Sequence, residues 1–212
     1  DATQAAFNYP RNGFSNIAVK NVAGGTPLQL TFETSFTGFP CWSPDGKFLT
    51  FYTGVIVVVP IGDNKKGLER KEIDWLREDY DAGQGRFSPD NRYLAYLSNE
   101  ADVDRGEVYV RPFDASKPEA PGPGNAVQVS KDGSIGMITW RQDGKELYFM
   151  TRNWEVMAVE VTTTPTFKAG PPRLLFGLPG PLPGNPMQWK NVSKDGDRFI
   201  FAMPTQTGPA AR

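Results

Sequence analysis

The chain has 212 residues, 39% of them hydrophobic, with a formal net charge of −1, one cysteine and no histidine. A near-neutral charge gives no broad basic surface, so nucleic acid is not an expected partner, and no apolar run reaches the ~20 residues that a membrane span needs. The missing histidines exclude Ser-His-Asp and Cys-His catalysis and His-ligated metal sites. We therefore expect a soluble protein without membrane insertion, metal or cofactor.

The N-terminal segment predicts two strands, over residues 16–22 and 26–32. Both lie before the first copy of a turn motif that then recurs along the chain. The later units each predict four strands. By comparison with them, these two segments correspond to the third and fourth strands of a sheet.

An internal repeat runs through the rest of the chain as CWSPDGKFLTF, RFSPDNRYLAY, TWRQDGKELYF and NVSKDGDRFIF. Its turn aspartates are Asp45, Asp90, Asp143 and Asp195. They lie roughly 50 residues apart, a period typical of propellers and other repeat arrays. The aspartates are expected to accept backbone N–H groups within the turns rather than to carry chemistry.

Each unit predicts four antiparallel strands. In the second unit these are 83–87, 92–97, 107–113 and 126–129, and 92–97 is apolar on both faces. Strands 47–52 and 55–60 belong to the first unit, and 146–151, 156–161 and 173–176 to the third. Four strands with two apolar faces are typical of a propeller blade.

Two segments leave the pattern less clear. LERKEIDWLREDY, residues 68–80, has helical propensity, but the repeat favours a fourth strand around 69–75. The Pro/Gly-rich stretch 177–186 is expected to be an interblade loop.

The C-terminus predicts two strands, 189–192 and 198–203, which complement the two at the N-terminus. The fold class is therefore all-β: a single domain over 1–212, a β-propeller of about four four-stranded blades, one of them split between the termini. The ring closes with four blades, or it is part of a larger ring, or a homodimer completes it through open blade edges.

The repeat resembles the TolB-like propeller family, whose hallmark is an S-P-D-G turn followed by an apolar strand. Stretches such as GQGRFSPDNRYLAYLSNE, TWRQDGKELYFM and AGPPRLLF are similar to the C-terminal propellers of bacterial receptor-type serine/threonine kinases. That resemblance implies a sensor module and a periplasmic or extracellular location.

One acidic cluster suggests a metal site only superficially. It comprises Asn99, Glu100, Asp102, Asp104 and Glu107. The spacing does not match a calcium loop, so a solvated loop is expected.

Bulky residues recur at one register of the first strand in each unit: Trp42, Phe87, Trp140 and Val192. They are expected to pack between blades, and their neighbours to face a central channel. The predicted ligand site comprises Arg86, Thr139, Trp189, Lys190 and Asn191, and suits an acidic or aromatic group. No catalytic residue is assigned.

The predicted function is a non-catalytic module that binds a protein, peptide or small molecule. The alternative is a carboxylate-based hydrolase or lyase, glycosidase-like, with its site in the channel; whether the protein is an enzyme stays open, with binding favoured.

Overall fold

The computed structural model describes residues 3–61, 73–101, 104, 106–122, 124–178 and 189–201. Throughout these ranges the regular elements are β-strands. Since they include no helix, none of them contains a helix long and apolar enough to cross a bilayer.

Within the described ranges, eighteen strands follow one another in chain order. They are β1 (Gln4–Arg11), β2 (Phe14–Asn21), β3 (Leu28–Gln29), β4 (Gly38–Trp42), β5 (Phe48–Tyr52), β6 (Ile56–Pro60), β7 (Ile73–Leu76), β8 (Ala82–Phe87), β9 (Tyr93–Ser98), β10 (Glu107–Pro112), β11 (Val127–Gln128), β12 (Ser134–Trp140), β13 (Glu146–Thr151), β14 (Glu155–Thr162), β15 (Lys168–Ala169), β16 (Arg173–Gly177), β17 (Trp189–Val192) and β18 (Phe199–Phe201).

The strands form antiparallel sheets that contact one another in sequence order. The sheets are β1-β2-β3, β4-β5-β6-β7, β8-β9-β10-β11, β12-β13-β14 with β15 and β16 both paired to β14, and β17-β18. The first strands of successive sheets contact each other: β4 with β8, β8 with β12, and β12 with β17. The repeat units predicted from the sequence therefore correspond to successive sheets.

Apolar clusters fill the spaces between neighbouring sheets. Leu49 of β5 packs with Ile17 of the first sheet, while Phe48 of the same strand packs with the third sheet. Tyr93 of β9 and Leu147 of β13 meet in the next space. The middle strands are buried on both faces because each sheet is covered twice.

The space between the second and third sheets is filled by aromatic rings. The Phe113 ring lies with its centroid 5.2 Å from that of Phe48 and 5.0 Å from that of Phe87, both edge to face. Trp75 of β7 is 1% exposed and joins this cluster. Burial of Trp75 explains why 73–76 is a strand despite its helical propensity, as predicted; residues 69–72 lie outside the described ranges.

The expectation of only two N-terminal strands is wrong. An additional strand, β1, pairs with β2 along its whole length. The connection is the two-residue turn Asn12-Gly13, with φ values of 52° and 83°. Both residues must be left-handed in such a turn, and Asn-Gly is the sequence that tolerates this best. The Asn-Gly dipeptide was therefore the signal that predicts the hairpin.

Within the described residues, the two ends of the chain do not form one four-stranded sheet. The N-terminal sheet there has three strands, and β17 pairs with β18 alone. Among the described residues no ladder joins these two sheets. The predicted split blade is not formed within these ranges.

Three of the four repeated turns are held by a serine and an aspartate, and in the third turn Arg141 takes the place of the serine and donates to Asp143. The Asp90 carboxylate accepts the Ser88 hydroxyl at 2.6 Å and the Arg92 N–H at 3.1 Å. The Ser88 hydroxyl in turn accepts the Tyr93 N–H at 3.0 Å. Equivalent aspartate bonds recur at Asp45, Asp143 and Asp195. The predicted turn role of these aspartates is confirmed.

Asp90→Asn tests the turn through its pH dependence. Burial raises the pKa of Asp90, but hydrogen bonds from Ser88 and other partners outweigh this and hold the pKa below its ordinary value. The stabilisation is therefore complete above the unfolded-state pKa of about 4 and is lost as the pH falls through the folded-state pKa.

Asp90→Asn should lower the free energy of unfolding at pH 7 by about 1 kcal/mol or less, because the carboxylate is partly exposed. Urea unfolding at pH 7 and about pH 3 should show the difference shrinking in acid. Asp79→Asn, at an exposed position outside the turns, is the control. A constant difference at both pH values would contradict the assignment.

Candidate functional site

The first strands of three sheets share a backbone irregularity. Phe39, Gln84 and Met137 have φ values of 60°, 55° and 55°, and the pairing register shifts around each. All three stand six positions before a turn aspartate. A left-handed residue of this kind is costly in a strand, so its recurrence marks a bulge required by the fold.

Side chains bridge these bulges from sheet to sheet. The Gln84 amide oxygen accepts the Met137 N–H at 2.9 Å, and its nitrogen donates to the Ile135 carbonyl at 3.3 Å. Arg86 donates from Nη1 to the Phe39 carbonyl at 3.2 Å, and Trp140 donates from Nε1 to the Arg86 carbonyl at 3.0 Å. The first strands are therefore joined by polar contacts as well as by packing.

A cavity of about 530 Å³ lies at the end of these strands where the repeated turns begin. We call it the turn-side cavity. Its lining is Cys41, Pro44, Arg86, Phe87, Pro89, Thr139, Trp140, Gln142, Val192, Ser193 and Lys194. This described lining combines two cations with aromatic walls and includes no Asp or Glu.

Two of the five predicted ligand residues, Arg86 and Thr139, line this cavity together. Trp189, Lys190 and Asn191 contribute backbone to β17, and their side chains lie outside the described features. The sequence interpretation did not include Lys194. The signal for it was available, because Lys194 sits in the fourth repeat of the turn motif, beside the predicted strand end.

A second cavity, of about 470 Å³, lies at the opposite end of β8. We call it the loop-side cavity. Ala82 and Gln84 at the start of β8 line it, whereas Arg86 and Phe87 at the end of the strand line the turn-side cavity. The remaining lining residues are Phe36, Phe39, Tyr52, Asp81, Gly83, Leu97, Ser98, Asn99, Asp104, Gly106 and Arg152.

The acidic cluster between β9 and β10 is not simply a solvated loop. Glu107 is 3% exposed, and its carboxylate accepts the Gly133 N–H at 2.8 Å and the Ser130 hydroxyl. Glu100 lies 3.6 Å from the Arg111 guanidinium. The expectation of a solvated cluster is wrong for Glu107, which instead fixes the turn leading into β12; Asp102 lies outside the described ranges.

A buried ionic group occupies the side of β13 that faces β18. The Glu146 carboxylate accepts Arg141 Nη1 at 2.6 Å and the Tyr148 hydroxyl at 2.7 Å, and it also accepts Arg173 Nη2. Burial raises the pKa of Glu146, but the bonds from Tyr148 and Arg173 outweigh this and hold it below its usual range. Glu146 is therefore a satisfied structural anion.

Metal ligation finds no support in the described part of the chain. No three His, Cys, Asp or Glu side chains converge there.

Comparison with solved structures identifies the fold. A protein described as TolB from Agrobacterium tumefaciens is similar at TM-score 0.55 and 15% identity, over 79% of this chain and 60% of its own. TolB from Acinetobacter baumannii matches at TM-score 0.56 and 20% identity, over 81% of this chain and 41% of its own. A protein described as a 6-phosphogluconolactonase from Bacteroides uniformis matches at TM-score 0.61 and 14% identity, over 96% and 61%.

These likenesses show a TolB-like β-propeller fold, in agreement with the stacked antiparallel sheets. The chain spans less than two thirds of the length of each of the three proteins. No protein-family model and no curated protein matches the chain. The number of blades, the closure of the ring and the specific resemblance to receptor-kinase propellers stay predictions.

Gln84→Ala tests the bridge between β8 and β12. Removal of the amide leaves the Met137 N–H buried without its acceptor, so we expect a loss of about 1–3 kcal/mol in the free energy of unfolding. Gln142→Ala, at an exposed position of the turn-side cavity, should change it by less than about 0.5 kcal/mol. Equal urea midpoints for wild type and Gln84→Ala would contradict a structural role for the bridge.

Proposed function

We propose that the protein is a non-catalytic β-propeller binding module that recognises an acidic group of a protein, peptide or small ligand in the turn-side cavity. The observation that carries this proposal is that Arg86 and Lys194 both line the cavity, while its described lining has no carboxylate. Unopposed cations in a concave site attract anions, and the low-dielectric walls strengthen that attraction.

Arg86 is suited to this role by the way it is held. Its Nη1 atom donates to the Phe39 and Gly85 carbonyls, at 3.2 and 2.9 Å. These bonds fix the guanidinium, and among the described residues they use only one of its three nitrogens. The remaining donors can form the paired hydrogen bonds that a carboxylate or phosphate accepts.

The walls of the cavity add an apolar component. Phe87 and Trp140 lie beside Thr139 and the thiol of Cys41. A few polar groups on an aromatic surface, in a volume of about 530 Å³, are typical of sites for small ligands or inserted side chains. We include Trp189, Lys190 and Asn191 in the proposal because they occupy the equivalent strand, β17.

We propose that the module is a periplasmic or extracellular sensor, on the basis of the resemblance of its sequence to receptor-kinase propellers. The hydrolase or lyase alternative requires a pair of carboxylates at the reacting bond. Since the described lining of the turn-side cavity supplies none, binding is the function that this cavity favours.

Arg86→Gln tests the acidic-ligand site. Isothermal titration with the blocked peptides acetyl-Gly-Glu-Gly-amide and acetyl-Gly-Gln-Gly-amide should show preference for the glutamate peptide. Arg86→Gln should lower the affinity for the glutamate peptide by about 5- to 20-fold, because it removes a charge-assisted pair of hydrogen bonds.

Lys145→Gln provides the matched control, because this exposed lysine of the third turn lies outside the cavity lining. Melting temperatures of all variants establish that they fold. Equal affinity for the two peptides, or unchanged binding by Arg86→Gln, would overturn the acidic-ligand proposal.

We also propose that a second copy of the chain completes the ring. Ile200 of β18 is 61% exposed, while Phe199 and Phe201 on the other face pack against the fourth sheet. An apolar residue that the described part of the chain leaves uncovered on this face suits a further sheet.

Sedimentation equilibrium over a range of concentrations should therefore show a monomer–dimer equilibrium. Ile200→Ser should shift it toward monomer, whereas Val22→Ser, which removes an equally exposed apolar residue elsewhere, should not. The mass of one chain at all concentrations would contradict the dimer proposal.

A further inference from the structure

The loop-side cavity has an aromatic wall whose rings hold each other in place. The ring centroids of Phe36 and Phe39 are 5.8 Å apart, and the Tyr52 ring lies 6.3 Å from Phe36 and 6.5 Å from Phe39. The left-handed backbone at Phe39, part of the repeated bulge, carries that ring. Phe36 nevertheless stays 51% exposed.

A carboxylate stands beside this wall with its backbone fixed. The Asp81 N–H donates to the Asn99 side-chain oxygen at 2.8 Å, and the Asn99 N–H donates to the Asp81 carbonyl at 3.1 Å. Asp81 is exposed, and its side-chain oxygens accept no hydrogen bond from the described residues. The backbone bonds therefore position a carboxylate that is available to a ligand.

The negative charge of Asp81 acts on Tyr52, one of the three rings of the aromatic wall. Burial raises the pKa of the Tyr52 phenol, and the negative charge of Asp81 raises it further. Arg152 is the cation of the described lining, and it donates to the Asp104 carbonyl oxygen. With Asp81 and Asp104 present, the described lining holds two acids and one base.

We propose that the loop-side cavity is a second ligand site, which takes the basic side chain of a peptide or protein loop between the Phe36–Phe39–Tyr52 wall and the Asp81 carboxylate. A guanidinium or ammonium group gains from the faces of aromatic rings, and a neighbouring carboxylate adds a charged partner. The aliphatic stem of lysine or arginine covers the apolar part of the wall. A cavity of about 470 Å³ accommodates one such side chain.

This site is distinct from the acidic-ligand site by place and by charge. The two cavities lie at opposite ends of β8 and share no lining residue. Loss of one binding activity therefore leaves the other as an internal check that the protein is folded.

Titration calorimetry with matched peptides tests the proposal. The probes are acetyl-Gly-Arg-Gly-amide and its neutral isostere with citrulline in place of arginine. The arginine peptide should bind at least about fivefold more tightly at low salt, and the preference should decrease at about 0.5 M salt because Asp81 is exposed.

Two substitutions locate the site. Asp81→Asn keeps the shape of the side chain and should reduce the preference for arginine over citrulline to what the aromatic wall alone provides. Phe36→Ala should lower the affinity for the arginine peptide by about two- to fivefold, since it removes the exposed ring of the wall. Asp79→Asn removes the same charge two residues away, outside the lining, and should leave both affinities unchanged.

The proposal would be overturned by no detectable binding of the arginine peptide, by equal affinity for the arginine and citrulline peptides, or by an unchanged preference in Asp81→Asn. A loss of arginine-peptide binding in Arg86→Gln instead would assign the peptide to the turn-side cavity and would equally overturn it.

Discussion

Coverage of both faces of the second, third and fourth sheets is the constraint on which the rest of the structure depends. Strands β5, β9 and β13 are apolar on each side, so a sheet alone would expose a face to water. Successive sheets solve this by stacking, and the side chains of each middle strand alternate between two spaces. The position of each first strand, and of the cavities at its two ends, follows from that stacking.

The bulges allow hydrogen bonds to form between the first strands of neighbouring sheets. The left-handed residue presents its carbonyl in β4 (Phe39) and its N–H in β12 (Met137) to side chains of β8. Arg86 donates to the Phe39 carbonyl, and Gln84 accepts the Met137 N–H. A Cβ on Gly136 would overlap the Gln84 amide, so the small residue there permits the bridge. Since both cavities begin at side chains of β8, the same strand that connects the sheets also shapes both proposed sites.

Much of the fold could be predicted because the repeat carries its own turn chemistry. The aspartate turn, which has a serine two residues before the aspartate in three of its four copies, sets where a second strand begins. Trp75 shows how burial overrides helical propensity in the segment after β6. The Asn12-Gly13 hairpin lies outside the repeat, so the repeat does not predict it. For the site, Arg86 and Thr139 were predictable from their register, whereas Asp81 and Phe36 are in connections whose course depends on contacts between sheets.

The ionic group at Glu146 makes the fourth sheet different from the second and third. The equivalent position holds Phe48 in the second sheet and Tyr93 in the third, and both rings are buried between sheets. The fourth sheet places a carboxylate there, tied to Arg141 and Arg173. Repeat arrays lose structure one neighbour contact at a time, starting where a unit is least covered. The described residues cover β18 on one face only, and Ile200 on its other face is 61% exposed. The seam beside β18 is thus where we expect sub-global opening to start, so its amides should exchange with solvent faster than those of β9; equal protection would refute that order.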